Sequence, residues 1–335
     1  MDLAVRAPLK EAQTIREALD AQQAIDYTRI PKKEGGHLYI PVIRAVDEYD
    51  VVEIALKARP EPAPSLREAL EKELSEEEFE NLKTAYDLVG DIAILEIDEE
   101  LRHKESVIAQ TLLETQPAVN VVVRKDGAHQ GELRLQDYKH LAGEERFETT
   151  VIENGVRLSL DIRKTYYSVR SATERKRVAE LVHEDERVLA MFSGIAPFPL
   201  VIAKLAHPKE IIGVELNRKA HGFAEKNVLQ NKVANVQVIQ GDVREVVSTL
   251  GTFDRITMPL PHTAQDFLDV AVPACNPGAT IHLYHFSSEE EVQAFAKTLP
   301  GRIAELGRQA SILDIVKCGN LGPGIHRWSI DILVK

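Results

Sequence analysis

Residues 187–198, RVLAMFSGIAPF, decide how the second half of the chain folds. The apolar run over 187–192 predicts a β-strand, and the small residues over 193–196 predict a tight turn into a helix. Such a turn after the first strand of an alternating sheet lets a ligand approach the backbone closely. The turn has neither the GxGxxG spacing nor the GK[ST] of a phosphate loop, which disfavours an NTPase. Taken alone, it fits an ordinary strand-to-helix turn equally well.

Strands and helices alternate regularly after this turn. Strand-like runs separated by helical patterns follow at 211–215, 236–240, 255–258 and 280–286. This alternation predicts an α/β domain with a parallel, doubly wound sheet. Two final runs, 310–316 and 326–334, flank the glycine-rich stretch 319–324, and we expect them to form an antiparallel pair at one edge.

Two smaller blocks precede this domain. Residues 1–60 combine a helical pattern from Lys10 to Gln23 with strand-like runs at 38–40 and 51–56, which predicts a small α/β unit. Pro60, Pro62 and Pro64 predict a stiff linker after it.

The second block, residues 65–163, is predicted to be α+β. Ser65 with Glu68 three residues on matches a helix capping box. Asn154-Gly155 between two strand-like runs predicts a β-hairpin. The predicted domains are therefore 1–60, 65–163 and 164–335.

Composition excludes several classes of protein. Two cysteines among 335 residues, Cys275 and Cys318, exclude a disulfide scaffold and a multi-cysteine zinc site, and they favour a reducing setting. No run approaches the ~18 apolar residues of a membrane span, and no secretion signal is visible at the start. We therefore expect a cytoplasmic protein without membrane contact. The net charge of −12 means that a nucleic-acid site would need a local basic surface.

Acidic residues stand at the predicted ends of neighbouring strands. Glu215 ends the second strand of the alternating block, where a carboxylate can accept hydrogen bonds from both ribose hydroxyls of a nucleoside cofactor. Asp242 follows the third strand and could accept from an adenine amino group, while the backbone N–H of Val243 donates. Each acid taken singly could equally be a helix N-cap. Together with the turn at Gly194, they predict a site for S-adenosylmethionine.

Two segments carry residues that suit binding of an acceptor: the loop after the fourth strand and the stretch before the first strand. Pro259 and Pro261 fix the loop after the fourth strand so that carbonyl groups can face an acceptor. Six basic residues and several aromatic ones lie between 163 and 177, a mixture that suits phosphate contacts and base stacking. Glu174 lies within this segment, and considered in isolation it predicts an ion pair with Arg170 or Arg177.

Several stretches, in order along the chain, resemble the archaeal/eukaryotic-type tRNA (guanine-37-N1)-methyltransferase family over nearly the full length. They are 86–95 (YDLVGDIAIL), 132–135 (ELRL), 140–144 (HLAGE), 166–175, 191–198, 227–232, 242–245 and 258–267. The resemblance implies an N-terminal domain that docks on the tRNA elbow, a middle RNA-binding domain near the anticodon stem, and a class I (Rossmann-like) methyltransferase domain. It also implies tRNA with guanosine at position 37 as partner; we expect a monomer that needs no metal.

The resemblance also assigns roles by position. Glu174 matches the general base and Arg134 the arginine that faces the guanine. The expected substrate contacts are Tyr166, Arg170, Pro259 and Pro261. The expected cofactor contacts are Arg175, Phe192, Gly194, Glu215, Leu216, Asp242, Val243 and Pro259. Pro259 stands where the family has an asparagine, which leaves the acceptor open: methyl or aminocarboxypropyl transfer to a wyosine-type tricyclic guanosine is an alternative. A separate alternative is a non-catalytic tRNA-binding protein.

Overall fold

The computed structural model describes residues 1–59, 64–127, 131, 133–260 and 262–335. Its compact units are Met1–Pro64 and Ser65–Lys335. Pro60 and Pro62 of the predicted linker, and Pro261 of the predicted site, lie outside the described residues. Within those residues, no helix combines the length and the apolar character needed to cross a membrane.

The first unit is a four-stranded antiparallel sheet with one helix. Its elements are β1 (Asp2–Pro8), α1 (Ala12–Ala21), β2 (Lys32–Glu34), β3 (His37–Pro41) and β4 (Val51–Ile54), and the strand order is β2-β3-β1-β4. The core includes Val5, Leu19 and Ile40. The helix and strands β3 and β4 agree with the sequence patterns. Strand β1 was not predicted, because two of its three buried residues are alanines, which prefer strands only weakly.

The second unit begins with the α+β block. Its elements are α2 (Leu66–Leu70), α3 (Glu76–Glu80), β5 (Tyr86–Val89), β6 (Ile92–Leu95), α4 (Glu105–Thr115), β7 (Val121–Lys125), β8 (Tyr138–Gly143), β9 (Glu148–Glu153) and β10 (Val156–Asp161). The predicted capping box is confirmed, since Ser65 and Glu68 each bond the other's backbone N–H. The predicted hairpin is confirmed as well: Asn154 (φ 48°) and Gly155 (φ 79°) both adopt the positive φ that a two-residue type I′ turn requires.

The remainder of the second unit is the alternating domain. Its elements are α5 (Ala172–Glu180), β11 (Arg187–Met191), α6 (Pro197–Leu205), β12 (Glu210–Glu215), α7 (Arg218–Asn231), β13 (Val236–Gln240), α8 (Val243–Val246), β14 (Phe253–Met258), α9 (Leu268–Ala271), β15 (Cys275–Ser287), α10 (Glu289–Glu305), β16 (Ala310–Gly322) and β17 (Ile325–Val334). The sheet order is β13-β12-β11-β14-β15-β17-β16, with β17 antiparallel to both of its neighbours. The parallel sheet and its antiparallel edge pair are confirmed.

The glycine-rich stretch 319–324 differs from the expected loop. Strand β16 continues to Gly322, and a turn at Pro323-Gly324 leads directly into β17. Three register shifts along the β16–β17 pair absorb the irregular residues, the last of them between Asn320 and Gly322.

Both faces of this sheet carry apolar clusters, and one of them also carries buried charged side chains. One face packs an apolar core that includes Phe253 and Trp328. On the other face, Arg255, His282 and Asp331 are buried. Because His282 lies directly opposite Asp331 in the β15–β17 register, their side chains share this face. Helix α5 packs over the same face, where Arg177 bonds both Glu174 and Asp331.

Candidate active site

A cavity of about 170 Å³ opens where strands β11 to β14 end. Of the residues predicted from the sequence, those lining it are Arg134, Tyr166, Glu174, Arg175, Phe192, Gly194, Glu215, Leu216, Asp242, Val243 and Pro259. Ligands of open α/β sheets bind at this end because parallel strands bring their carboxyl ends together there. The cavity therefore unites the predicted cofactor contacts with Glu174 and Arg134.

The turn after β11 owes its shape to backbone in the left-handed region. Phe192 (φ 56°), Gly194 (φ 56°) and Ala196 (φ 68°) all have positive φ, and Pro197 then begins α6. A positive φ in a residue with a side chain costs about 1–3 kcal/mol of conformational free energy, and residues with such strain cluster at functional sites. Within the described residues, the buried Ser193 hydroxyl in this turn has no hydrogen-bond partner. It borders the cavity, where a bound ligand could satisfy it.

Glu215 sits buried at the end of β12. Its carboxylate accepts hydrogen bonds from the backbone N–H of Gly194 (2.6 Å) and of Asn217 (2.7 Å). Burial raises the pKa of Glu215 above its ordinary value. Asn217 caps helix α7 instead, by accepting from the N–H of Lys219 at 2.9 Å. Since a carboxylate offers about four acceptor positions, Glu215 keeps capacity for ribose hydroxyls.

Asp242 combines the two roles that its position allowed. It caps helix α8 by accepting from the N–H of Arg244 at 2.8 Å, and it also lines the cavity. The aromatic ring of Phe192 meets that of Phe267 edge-on, with centroids 4.9 Å apart, and both residues line the cavity. Acidic residues, an unpaired hydroxyl and apolar walls together fit a nucleoside cofactor such as S-adenosylmethionine.

Glu174 is buried and accepts three hydrogen bonds. The Nε and Nη2 groups of Arg177 donate to its two oxygens at 2.8 Å each, and the Tyr284 hydroxyl donates at 2.7 Å. Of the two partners that the sequence allowed, the structure selects Arg177. Arg170 instead bonds Asp87 of β5 at 2.9 Å, and its side chain is 66% exposed, so Arg170 does not join the cavity.

Arg175 lines the cavity but is tied to the hairpin. Its guanidinium donates twice to Glu153 of β9, at 2.6 and 2.5 Å, and once to the carbonyl of Ser168. The Tyr167 hydroxyl bonds the same carboxylate at 2.6 Å. Arg175 and Arg177 thus engage buried carboxylates and do not contribute to a solvent-exposed basic surface.

Arg134 and Tyr166 line the cavity from two separate loops of the chain. The guanidinium carbon of Arg134 lies 4.8 Å from the centre of the Tyr166 ring, within range of a cation–π contact. Arg134 has a φ of 52° on the loop between β7 and β8, and Tyr166 follows β10. A planar cation and an aromatic face side by side can hold a flat, unstacked base.

Several residues that line the cavity were not predicted from the sequence. Tyr284 reads as part of an apolar strand, yet its hydroxyl reaches Glu174. Ser193, Asn217 and Arg327 also line the cavity. Ser193 and Asn217 each stand beside a predicted residue at a strand end, which was a usable signal. Nothing near Tyr284 or Arg327 in the sequence indicates a site.

Five parallel strands, an antiparallel edge pair and a nucleoside-sized cleft at the carboxyl ends define a class I methyltransferase fold. Family models match in the same order along the chain: the tRNA methyltransferase 5 N-terminal domain at 4–50, the TYW2 N-terminal domain at 66–146 and the TRM5/TYW2 methyltransferase domain at 149–306. The chain is also 37% identical, over the whole of both chains, to tRNA (guanine(37)-N(1))-methyltransferase Trm5b of Pyrococcus abyssi. It belongs to the TRM5/TYW2 family of tRNA methyltransferases, which confirms the resemblance.

Solved structures agree with this assignment. The crystal structure of the Pyrococcus abyssi Trm5b superposes over 100% of both chains with a TM-score of 0.74. A complex of aTrm5 with tRNALeu, 27% identical, covers 99% of this chain and 100% of that one with a TM-score of 0.72. TYW2 of P. horikoshii in complex with MeSAdo, 28% identical, covers 80% of this chain and 97% of that one with a TM-score of 0.69.

Proposed function

We propose that this protein transfers a methyl group from S-adenosylmethionine to N1 of guanosine 37 in tRNA. One observation carries the proposal: Glu174 and Arg134 line the same cavity as Glu215 and Asp242, so base-directed and cofactor-directed groups share one space. The name of the full-length Pyrococcus abyssi relative supports the same reaction.

The side chains suit the chemistry of that acceptor. Guanine N1 carries a proton and is a poor nucleophile until a base removes it, and Glu174 is the carboxylate available for this step. Negative charge then develops on O6, where the Arg134 guanidinium stabilises it. S-adenosylmethionine supplies an electrophilic methyl group on a sulfonium. Positioning the acceptor at about 3–3.5 Å, in line with the bond that breaks, supplies much of the remaining rate.

The target base has to leave the anticodon-loop stack before it can reach Glu174. The Arg134–Tyr166 pair offers a cation and an aromatic face for a base turned out of its stack. We propose that Tyr166 and Arg134 hold the guanine, and that Arg170 contacts the nucleotide from outside the cavity. Pro259 lines the same cavity as Arg134 and Tyr166.

Nucleoside mass spectrometry tests the proposed reaction. Unmodified tRNA with guanosine 37, incubated with the protein and S-adenosylmethionine, is expected to yield N1-methylguanosine at that position. A matched tRNA carrying adenosine 37 is the control and should stay unmodified. Cofactor binding without product on any tRNA would favour the non-catalytic alternative.

We propose that residues 1–60 dock on the tRNA elbow, that 65–163 contact the anticodon stem, and that 164–335 carry out methyl transfer. If the first domain contributes binding at the elbow, the full-length protein should show a KM for an isolated anticodon stem-loop at least about tenfold above that for whole tRNA, since each tenfold corresponds to 1.4 kcal/mol. Equal KM values for both substrates would contradict elbow docking.

A second acceptor is favoured by Pro259. The family's asparagine at this place would present a side-chain amide to the acceptor, and proline removes it while lining the same cavity. Product on tRNA that bears a tricyclic wyosine precursor, and none on guanosine 37, would move the assignment to that branch.

A further inference from the structure

Glu174 stands at the cavity end of a continuous series of polar side chains, which are buried except for the partly buried Arg177. The series crosses one face of the sheet under helix α5, in the order Glu174, Arg177, Asp331, His282, Arg255 and Glu186. None of these residues except Glu174 lines the cavity in the part of the chain that the structure describes. Burying so many polar groups is unfavourable unless each is paired, so their arrangement calls for an explanation.

Arg177 stands between two carboxylates. Besides Glu174, it donates through Nη1 to Asp331 Oδ2 at 2.8 Å and through Nη2 to Asp331 Oδ1 at 3.3 Å. The Ser329 hydroxyl also bonds Asp331 at 2.8 Å and accepts from Arg177 at 3.1 Å. Asp331 and Ser329 on β17 therefore hold the guanidinium of Arg177 in place, so its position does not depend on Glu174 alone.

His282 fixes Asp331 from the other side. A guanidinium can only donate, so the 2.8 Å contact of Arg255 Nη1 with His282 Nε2 requires that this nitrogen carry no proton. The proton is then on Nδ1, which donates to Asp331 Oδ1 at 2.7 Å. These two contacts define which ring nitrogen of His282 donates and which accepts. Burial opposes ionisation of Asp331, but hydrogen bonds from His282 and Arg177 outweigh it and hold the pKa of Asp331 well below its ordinary value.

The two oxygens of Glu174 are occupied unequally. Oε1 accepts from Arg177 Nη2 and from the Tyr284 hydroxyl, which fills both of its acceptor positions. Oε2 accepts only from Arg177 Nε among the described residues. Since each carboxylate oxygen has about two acceptor positions, one remains on Oε2.

We propose that Arg177, shared with Asp331, and Tyr284 are positioning residues that present Oε2 of Glu174 to the N1 proton of the target guanine. This inference rests on the proposed function and deepens it. The proton moves from guanine N1 to Oε2, the N1 electron pair attacks the methyl carbon, and the sulfonium keeps the electrons of the broken carbon–sulfur bond. Arg177, Asp331 and Tyr284 keep their protonation states throughout.

The charges of the series favour this transfer. Among the described side chains of the series, three carboxylates face two guanidinium groups, so the carboxylates exceed the guanidinium groups by one. Arg177 divides its hydrogen bonds between Glu174 and Asp331, so its positive charge is shared by two carboxylates. Proton uptake by Glu174 makes the numbers of ionised carboxylates and guanidinium groups in the series equal.

The phenol and the thiol near Glu174 both have a raised pKa. Burial raises the pKa of Tyr284 well above its ordinary value, with Glu174 acting in the same direction, so the phenol stays a donor. Burial raises the pKa of the nearby Cys318 thiol to about 11. Arg327, Arg175, Arg134 and Arg244 also line the cavity. Among the described lining residues, the other carboxylates are Asp242 and Glu215, and burial raises the pKa of Glu215.

The pH dependence of the single-turnover methyl-transfer rate tests this inference, at saturating tRNA and S-adenosylmethionine. Arg177→Gln removes the cation and should move the acidic midpoint of the profile to higher pH. Asp331→Asn removes the second carboxylate that Arg177 bonds, so the guanidinium interacts with Glu174 as its one carboxylate partner in the series. This variant should move the midpoint to lower pH. Arg177→Lys should restore the midpoint but not the rate, because an ammonium cannot bond both oxygens as a fork does. In these three variants we expect the single-turnover rate to fall about 10- to 100-fold, which corresponds to the free energy of a charge-assisted hydrogen bond.

Tyr284→Phe keeps the packing and removes one bond to Oε1, so it should raise the midpoint even if the Arg177 variants fold poorly. Arg124→Gln is the matched control, since Arg124 makes a comparably buried pair with Glu105 (2.7 Å) in the middle block. Midpoints that match the wild type in Tyr284→Phe and Asp331→Asn would overturn the inference, whatever the rates. A wild-type protein that makes no N1-methylguanosine would instead count against the proposed function.

Discussion

Replacing Glu174 by glutamine is expected to lower the rate of methyl transfer about 10²- to 10⁴-fold, the range that general-base catalysis contributes. A carboxamide is far too weak a base to take up the guanine N1 proton, while the side chain keeps its size. The affinity for S-adenosylmethionine should stay unchanged, because Glu215 and Asp242 occupy a different part of the cavity wall, on β12 and after β13. Single-turnover rates and equilibrium cofactor binding check the two halves of this prediction.

The ion pair of Glu174 demands a control for folding. An amide facing the Arg177 fork would place one N–H group against a donor, so Glu174→Gln should also lower Tm. Glu105→Gln breaks a similar buried pair, with Arg124, away from the cavity. It should lower Tm while leaving the methyl-transfer rate at the wild-type level. Unchanged turnover in Glu174→Gln would remove Glu174 as the base.

The sequence predicts those parts of the fold and site that depend on local chemistry. The strand and turn over 187–198 follow from an apolar run and small residues, and the hairpin follows from Asn154-Gly155, whose conformations only a few residue types adopt easily. Glu215 was identifiable because it ends a strand in a sheet whose topology the alternation already gives. In each case the deciding residues lie within a few positions of one another.

The positioning of Glu174 could not be predicted, because its partners meet through the register of distant strands. Arg177 and Asp331 lie 154 residues apart, and Tyr284 lies 110 residues from Glu174. The sequence offered Arg170 and Arg177 as equivalent helical neighbours of Glu174. Only the placement of Asp331 on β17 under helix α5 favours Arg177, since it gives that guanidinium a second carboxylate.

For Arg175, the cavity position was predicted but its hydrogen-bond partner was not. Its place in the resemblance predicts a cofactor contact, and it does line the cavity, but its guanidinium donates twice to Glu153. That carboxylate comes from the hairpin, 22 residues earlier, and no local pattern links the two. Because the guanidinium of Arg175 donates two hydrogen bonds to Glu153, we expect Arg175 to stabilise the cavity wall more than to bind a ligand.

Arg134→Ala is expected to reduce the methyl-transfer rate about 10²- to 10³-fold at saturating tRNA, the effect of removing one donor that stabilises a developing oxyanion. The guanidinium stacks on Tyr166 at 4.8 Å in the cavity that Glu174 borders, so it can meet O6 while the base is held flat. Arg134→Lys should recover only part of the rate, because an ammonium keeps the charge but neither stacks nor donates from a rigid plane.

The distinction between rate and binding decides what Arg134 does. Stabilisation of O6 acts on the charge that appears as the N1 proton leaves, so the single-turnover rate should fall while the KM for tRNA changes little. Tyr166→Leu serves as comparison: it removes the stacking surface but no donor, and should raise KM more than it lowers the rate. If Arg134→Ala raised KM and left the saturated rate intact, the arginine would be a binding group, and the charge on O6 would need another donor in the cavity.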